Sequence, residues 1–77
     1  MILNLTQIQP GESAIVSEIQ GGYGLVKKLQ NMGIRPGKKI TKVSSHFGHG
    51  PQTVKVGNMQ IAIGYGMAKK IFIEIRQ

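Results

Sequence analysis

The segment LQNMGIRPGKKI, residues 29–40, contains the end of a helix and the start of a strand. An amphipathic helix is predicted over residues 23–32, because its apolar residues recur at helical spacing: Leu25, Val26, Leu29 and Met32. Gly33 follows, and a glycine at the C′ position adopts the left-handed conformation at little steric cost. Ile34 can then pack back onto the helix, as the residue after such a cap often does. The helix is therefore expected to end at Gly33.

Residues 35–37, Arg-Pro-Gly, predict a turn that leads directly into the next strand. A residue before proline avoids the helical region, and Pro-Gly suits the two central positions of a type II turn. The same pair, Pro10-Gly11, precedes another strand pattern. The stretches IQPGESAIV and IRPGKKITKV are alike around the turn and diverge beyond it. We interpret them as one strand-entry turn that is used twice, and not as a duplicated repeat.

Five short strands are predicted from alternating apolar residues and the turns between them, over residues 13–19, 39–45, 53–56, 59–63 and 70–76. Gly57-Asn58 predicts a two-residue hairpin with positive φ at both positions, and residues 64–68 predict a corner. This pattern predicts a mainly β fold, a small SH3-like antiparallel barrel of about five strands with one short helix; an OB-like barrel is the alternative. The expected interior consists of Ile15, Ile19, Leu25, Leu29, Ile40, Val43, Val54, Val56, Ile61, Ile63, Ile71 and Ile73.

The length and composition limit the classes of protein that fit. At 77 residues, the chain is expected to form one domain over residues 1–77, since this length supports a single core. It contains no cysteine, which excludes disulfides and thiolate chemistry and favours a cytoplasmic location. The first residues do not have the pattern of a signal peptide, and no apolar run reaches the ~20 residues of a membrane helix.

The charge of the chain is one-sided. Ten Lys and Arg residues oppose three Glu residues, which gives a net charge of +7. Between Ile19 and Ile73 there are nine basic residues and no acidic residue. Such a surface suits an anionic partner, such as a nucleic acid, an acidic lipid surface or an acidic face of a protein. A net charge of this size also keeps small domains soluble, so charge alone does not decide between the two roles.

The residues offer little for catalysis. None of Glu12, Glu18 and Glu74 has a second acid beside it in the sequence, and no aspartate is present to orient a histidine beside Ser44 and Ser45. The stretch GGYGLVKK precedes the helix, but it has neither the third glycine of a dinucleotide fingerprint nor the Gly-Lys-Ser/Thr ending of a P-loop. We therefore expect no enzyme, no catalytic residue and no cofactor.

His46 and His49 are the two histidines of the chain. Two imidazoles three residues apart can share a transition metal, but protein metal sites normally have three or four ligands. We therefore predict no metal site. Binding of Fe²⁺ at His46 and His49 stays open as a speculative alternative, in which the protein senses or carries iron.

A basic barrel that binds nucleic acid is the other alternative. Single-strand binders stack bases on exposed aromatic rings, and the aromatic residues of this chain are Tyr23, Phe47, Tyr65 and Phe72. With so few rings, binding would be electrostatic and independent of base sequence. No specific nucleic acid is therefore expected as a partner.

Two blocks of the sequence resemble the FeoA domain. The first is LVKKLQNMGIRPGKKI, residues 25–40, and the second is IAIGYGMAKKIFIEI, residues 61–75. Together with the N-terminal Gly-Glu and Gly-Gly pairs, the likeness extends over nearly the whole chain. The resemblance implies an SH3-like barrel and a role in bacterial ferrous iron uptake, as a small cytosolic accessory of the membrane transporter FeoB. It implies neither an enzyme nor a metal site at the histidines.

A partner-binding surface is predicted on the helix and the turn after it. Basic side chains would steer the protein towards an acidic patch, and an aromatic ring with the edges of apolar side chains would add contact area. The predicted partner-binding residues are Tyr23, Leu25, Lys27, Lys28, Met32, Arg35, Lys38 and Lys39. The expected contact on FeoB is its cytosolic GTPase domain or its membrane part, at the inner face of the membrane and without direct membrane insertion of this chain.

Overall fold

The computed structural model describes residues 2–45 and 48–75. The strands are β1 (Ile2–Asn4), β2 (Ser13–Ile19), β3 (Lys39–Ser45), β4 (Gln52–Val56), β5 (Met59–Ile63) and β6 (Ile71–Glu74). They form one antiparallel sheet in the order β1-β6-β2-β3-β4-β5. The helices are α1 (Tyr23–Asn31) and the one-turn α2 (Tyr65–Ala68), with a 3-10 helix at Leu5–Gln7. The predicted mainly β antiparallel fold is confirmed, with six strands in place of about five.

Two Pro-Gly turns begin β2 and β3 in the same way. A hydrogen bond of 3.0 Å closes each turn, donated by the amide of Glu12 to the carbonyl of Gln9 and by the amide of Lys38 to the carbonyl of Arg35. The glycines of the two turns have φ values of 93° and 91°, which a type II turn requires at its third position. The prediction that one turn is used twice is confirmed.

Each turn also donates a hydrogen bond to the middle of the strand that the other turn begins. The two turns with their strands are therefore related by a local two-fold axis. The Gly11 amide donates to the Lys42 carbonyl at 2.7 Å, and the Gly37 amide donates to the Val16 carbonyl at 2.8 Å. Val16 follows Gly11 by five residues, and Lys42 follows Gly37 by five. Val16 and Lys42 therefore occupy equivalent positions, and both are 1% exposed.

A β-bulge follows each of these equivalent positions. The register shifts after Val16 against β6 and after Lys42 against β4. Side chains alternate between the two faces of a strand. Lys42 therefore lies on the same inward face as the buried Ile40, and Val43 lies on the outward face. Val43 is 39% exposed, and the prediction that it lies in the interior is wrong. The bulge then resets the alternation for the rest of the strand.

Helix α1 ends with the cap that the sequence predicts. Gly33 has a φ of 87°. Its amide donates to the Gln30 carbonyl at 2.9 Å, and the Ile34 amide donates to the Leu29 carbonyl at 2.9 Å. This pair of bonds defines the Schellman motif. Leu29 and Ile34 are both fully buried, so the cap attaches the helix to the core.

The N-terminal segment contains two elements that sequence reasoning missed. Strand β1 pairs with β6, and the 3-10 helix begins at a capping box in which the Asn4 amide donates to Gln7 Oε1 at 2.9 Å. Leu5 and Ile8 are buried core residues beside this box. A strand of three residues is too short to show an alternating pattern, which is why β1 was not predicted.

The later turns differ in detail from the prediction. Gly57-Asn58 forms the predicted hairpin, with Val56 opposite Met59. Of these two turn residues only Gly57 has a positive φ, 61°, so the expectation of positive φ at both is wrong. A positive φ at the first position alone is typical of a type II′ turn. Residues 64–68, predicted as a corner, contain α2.

Among the described residues, thirteen apolar side chains form the buried core. Seven of them were predicted: Leu29, Ile40, Val54, Val56, Ile63, Ile71 and Ile73. The other predicted residues, apart from Val43, are half-buried: Ile15, Ile19, Leu25 and Ile61. In β2 both faces carry apolar residues: the structure buries Ala14 and Val16 and leaves Ile15 half-buried on the opposite face. Ile19 follows the bulge, pairs with the buried Ile71 and packs against the core. The bulge after Val16 therefore separates Ile15 from Ile19, which a regular alternation would place on one face.

Candidate binding surfaces

Helix α1 presents an aromatic ring and two lysines to solvent, which we call the helix surface: Tyr23, Lys27 and Lys28. Tyr23, the first residue of the helix, is 79% exposed, and both lysines are exposed. The Lys27 Nζ lies 5.8 Å from the centroid of the Tyr23 ring, within the range of a cation–π contact. The helix contains no acidic residue. The helix surface therefore combines apolar area with positive charge.

Leu25 and Met32, predicted as part of the same surface, are half-buried and pack against the core. They flank the fully buried Leu29 along the helix, and side chains at this spacing share one face. Only their outer edges are accessible. Their main contribution is to hold the helix against the sheet.

Arg35, Lys38 and Lys39 are exposed at the turn after the helix and at the start of β3. The structure brings Lys38 and Lys39 together with Lys55, which sequence reasoning missed. These three lysines, Thr41 and Gly57 line a concave site of about 380 Å³, which we call the lysine cradle.

The cradle lies on the outer face of the sheet. Thr41 lies opposite Lys55 in the pairing of β3 with β4, and Lys39 is two residues before Thr41 on the same face. Ile40 and Val54 point to the other face and are fully buried. Strand alternation therefore fixes which side chains reach the cradle. The pairing joins residues distant in the sequence, so no local pattern indicated Lys55.

A hydroxyl pair borders the cradle. Ser13 Oγ and Thr41 Oγ1 lie 2.7 Å apart, and either hydroxyl can be the donor. When Ser13 donates, the Thr41 proton is free for a ligand. A second concavity of about 260 Å³ adjoins this pair and is lined by Ser13, Ala14, Ile15 and Lys39. Lys39 therefore lies between the two concavities.

Of the two histidines, only His49 is described, because His46 lies outside the described residues. His49 is exposed and stacks on the ring of Tyr65, with centroids 4.3 Å apart and an interplanar angle of 17°. Within residues 2–45 and 48–75, no three His, Asp or Glu side chains are grouped closely enough to hold a metal ion. The structure therefore shows His49 in an aromatic stack.

Lys42 is a buried ionisable residue that the sequence did not single out. Burial lowers the pKa of its ammonium group from the ordinary value of 10.5, and the negative charge of Glu12 opposes this shift. The Glu12 carboxylate is held in the first Pro-Gly turn, where its Oε1 accepts a hydrogen bond of 2.6 Å from the Gln9 amide. The lysine faces the core and does not belong to the cradle.

Within the described residues, neither helix is long and apolar enough to cross a membrane. The longer of the two, α1, has nine residues. This is less than half of the roughly 20 residues needed to span a bilayer.

Comparison with known proteins identifies relatives over nearly the whole chain. The sequence model of the FeoA domain family matches residues 3–75. The putative Fe(2+) transport protein A of Methanocaldococcus jannaschii is 38% identical over 64 residues, which are 83% of this chain and 76% of the relative.

Solved structures give the same result for the fold. The crystal structure of an iron uptake regulatory protein, FeoA, is 35% identical, with a TM-score of 0.86 and 96% of both chains covered. The solution structure of iron(II) transport protein A from Clostridium thermocellum is 29% identical, with a TM-score of 0.88, over 95% of this chain and 45% of that chain. The SH3-like fold is thereby confirmed. The family match includes both the helix surface and the lysine cradle.

Proposed function

This chain belongs to the FeoA domain family, and from that premise we propose that it docks on the ferrous iron transporter FeoB and modulates it. The FeoA family takes part in ferrous iron transport. The family match over residues 3–75 is the observation that carries the proposal. FeoB is the membrane transporter of this uptake route, and it is the proposed partner through its cytosolic GTPase domain or its membrane part.

The helix surface supports the proposal because it has the composition of an interface anchor. Aromatic residues are enriched among the residues that dominate binding energy, and Tyr23 is the most exposed large apolar side chain described. The Lys27 Nζ lies 5.8 Å from the Tyr23 ring centroid, so apolar area and positive charge are adjacent on the helix. A partner that covers Tyr23 would bury most of the ring without reorganising the helix.

The charge of the surface supports an acidic contact on the partner. Lys27 and Lys28 on the helix, with Arg35, Lys38 and Lys39 beyond it, give five positive charges in a segment without an acidic residue. Complementary charge raises the rate of association and opposes wrong partners. In this proposal the charges steer the encounter, and Tyr23 with the edges of Leu25 and Met32 stabilises the complex.

The proposal assigns the chain a binding role in transport. It assigns no catalytic residue and no resident cofactor to it. The chain acts in the cytoplasm and reaches the inner face of the membrane through FeoB. Fe²⁺ is the cargo of the transporter and is not assigned a site on this chain.

The test is a titration of the isotope-labelled chain with purified FeoB, first as the whole transporter in nanodiscs and then as its soluble GTPase domain. Amide shifts or line broadening between residues 23 and 39 are expected. Changes confined to other residues would keep FeoB as the partner and reject the helix surface. Absence of binding to the whole transporter would reject the proposal.

A charge-reversal variant tests the surface itself. K27E/K28E is expected to weaken association by at least about tenfold at low salt, because both steering charges are inverted. K69E/K70E is the matched control, since it changes two exposed lysines by the same charge at another place. Equal losses in both variants would show that net charge, and not the helix surface, controls binding.

A further inference from the structure

We propose that the lysine cradle binds a compact anion with two or three linked phosphoryl groups, such as the phosphate chain of a nucleotide or an inorganic polyphosphate. The proposal stands on the geometry and charge of the cradle, and it does not depend on docking to FeoB. It assigns a role to Lys55, which the helix surface does not use.

The cradle gathers three lysines: Lys39 and Lys55 from two neighbouring strands, and Lys38 from the turn before β3. Lys55 lies opposite Thr41, and Lys39 is diagonal to Lys55 across the same pair of strands. Opposite side chains on one face of a sheet have Cβ atoms ~5 Å apart, and diagonal ones lie roughly 7–8 Å apart. Lysine side chains are long enough to converge over such distances. Together with Lys38 they line a single concavity of about 380 Å³.

No acidic residue balances these charges within the cradle, as far as the described residues line it. Glu74 of β6 pairs with Ile15 of β2, and Ile15 pairs in turn with Lys39. A complete strand therefore separates the Glu74 carboxylate from the cradle. Like charges grouped on one face of a sheet destabilise it. A bound anion would remove this repulsion.

The size and lining of the cradle favour a phosphate chain. Lysine binds phosphate as a point charge, and a chain of phosphoryl groups can contact several of the three lining lysines at once. Small-molecule sites usually have volumes of about 300–1,000 Å³, so the cradle suits a compact ligand. No aromatic ring lines it within the described part of the chain, so the contacts would be made to phosphoryl groups and not to a nucleobase.

The test is a titration of the isotope-labelled chain with sodium tripolyphosphate at low ionic strength, followed by amide shifts and calorimetry. Saturable shifts centred on Lys39, Thr41, Lys55 and Gly57 are expected. K39Q/K55Q should lose at least about tenfold in affinity, because each lysine supplies a charge-assisted contact. The control K69Q/K70Q removes the same charge elsewhere and should stay within about twofold of the wild-type chain.

Two further ligands separate the sources of the phosphate chain. Equal affinities for tripolyphosphate and GTP would show that the phosphates alone are recognised, whereas tighter binding of GTP would identify a nucleotide as the source. Both results support the proposal. Orthophosphate should bind more weakly than either, because it cannot contact all three lysines at once.

Several results would overturn the proposal. Uniform, non-saturating shifts would indicate general screening, and equal losses in K39Q/K55Q and its control would exclude the cradle. Tighter binding of a single-stranded oligonucleotide or a polyglutamate peptide at these residues would assign the site to another class of ligand. Tripolyphosphate should raise the Tm of the wild-type chain but not of K39Q/K55Q. This second readout also verifies that the variant is folded.

The variants separate this proposal from docking to FeoB. K55Q lies outside the predicted docking residues and should weaken tripolyphosphate binding while association with FeoB is retained. K27E/K28E should weaken association with FeoB while tripolyphosphate binding changes by no more than the net charge explains. Failure of one proposal therefore leaves the other intact.

Discussion

Lys42 is equivalent, by the local two-fold axis, to the apolar residue Val16. Val16 and Lys42 are both 1% exposed and each follows a turn glycine by five residues. Desolvation lowers the pKa of the lysine, and the nearby charge of Glu12 only partly opposes this. A buried charge of this kind destabilises the fold at neutral pH relative to an apolar side chain of the same length.

Replacing Lys42 by methionine is expected to raise the free energy of unfolding at pH 7 by ~1 kcal/mol, because the aliphatic part is kept and the buried charge removed. The wild-type chain has a folded-state pKa below 10.5 at this residue. Between that pKa and 10.5 the unfolded chain binds more protons, so this residue's contribution to stability rises with pH. Urea unfolding across this window should show the rise in wild type and its loss in Lys42→Met.

Lys55→Met is the control for the titration of Lys42. It removes an exposed lysine from the neighbouring strand and should retain the rise in stability towards pH 10.5. If Lys42→Met kept the same pH dependence as wild type, the ammonium group of Lys42 would not be the group that is desolvated.

At the residue scale, local sequence patterns predicted which side chains are exposed better than they predicted which side chains are in contact. Helical spacing placed Lys27 and Lys28 opposite the apolar face of α1, because the period of a helix is set within a few residues, and both are exposed. Lys55 was not predicted as a site residue, because its neighbour Thr41 is fourteen residues away in the sequence and lies opposite it only through the pairing of β3 with β4. Val43 was misplaced because its hydrophobicity outweighed its position in the alternation.

At the scale of elements, the Schellman cap of α1 depends on one glycine. Gly33→Ala is expected to lower the free energy of unfolding by ~1–2 kcal/mol, because its φ of 87° is unfavourable for a residue with a Cβ atom. The new Cβ would also lie 3.4 Å from Val56 Cγ1. Chemical denaturation of the two proteins measures the difference.

Gly24→Ala in the same helix is the control, with the opposite sign expected. Gly24 has ordinary helical conformation, and an added Cβ meets nothing within 4 Å. Alanine should therefore stabilise the helix by ~0.5–1 kcal/mol. A loss of stability in both variants would mean that the helix does not tolerate substitution for reasons other than the cap.

Three strands were predicted with their observed bounds, and β4, which also ends at Gly57-Asn58, begins one residue earlier than predicted. The bounds of β2, β3 and β5 agree because Pro-Gly or Gly-Asn lies at one end of each. The N-terminal elements were not predicted, since β1 has three residues and its 3-10 helix has three. Their stability comes from pairing with β6 and from the buried Leu5, which are tertiary effects.

For the whole molecule, the net charge of +7 is large relative to its size. The principal axes measure 28, 27 and 25 Å. At 0.01 M salt the screening length of about 30 Å exceeds these dimensions, whereas at 0.1 M it is about 10 Å. All the positive charges therefore repel one another at low salt, and many of these pairs are screened at moderate salt.

Raising NaCl from about 0.01 to 0.1 M is expected to stabilise the chain by ~1 kcal/mol, or roughly 4–8 °C in Tm for a domain of this size. Calorimetry in chloride salts measures this without supplying a multivalent anion to the cradle. Each Lys→Glu change lowers the net charge by two, so K69E/K70E falls from +7 to +3 and should respond less. An equal response would assign the effect to something other than net repulsion.

The two-fold relation between β2 and β3 also limits how this chain can change in length during evolution. The Gly11 amide must reach the carbonyl of Lys42, which lies five positions after Gly37. The Gly37 amide must reach the carbonyl of Val16, which lies five positions after Gly11. An insertion or deletion between Gly11 and Val16, or between Gly37 and Lys42, would displace a buried side chain or break at least one of the two hydrogen bonds. Length differences among natural homologues should therefore accumulate between β3 and β4 and at the termini, and should be rare within residues 9–17 and 35–43.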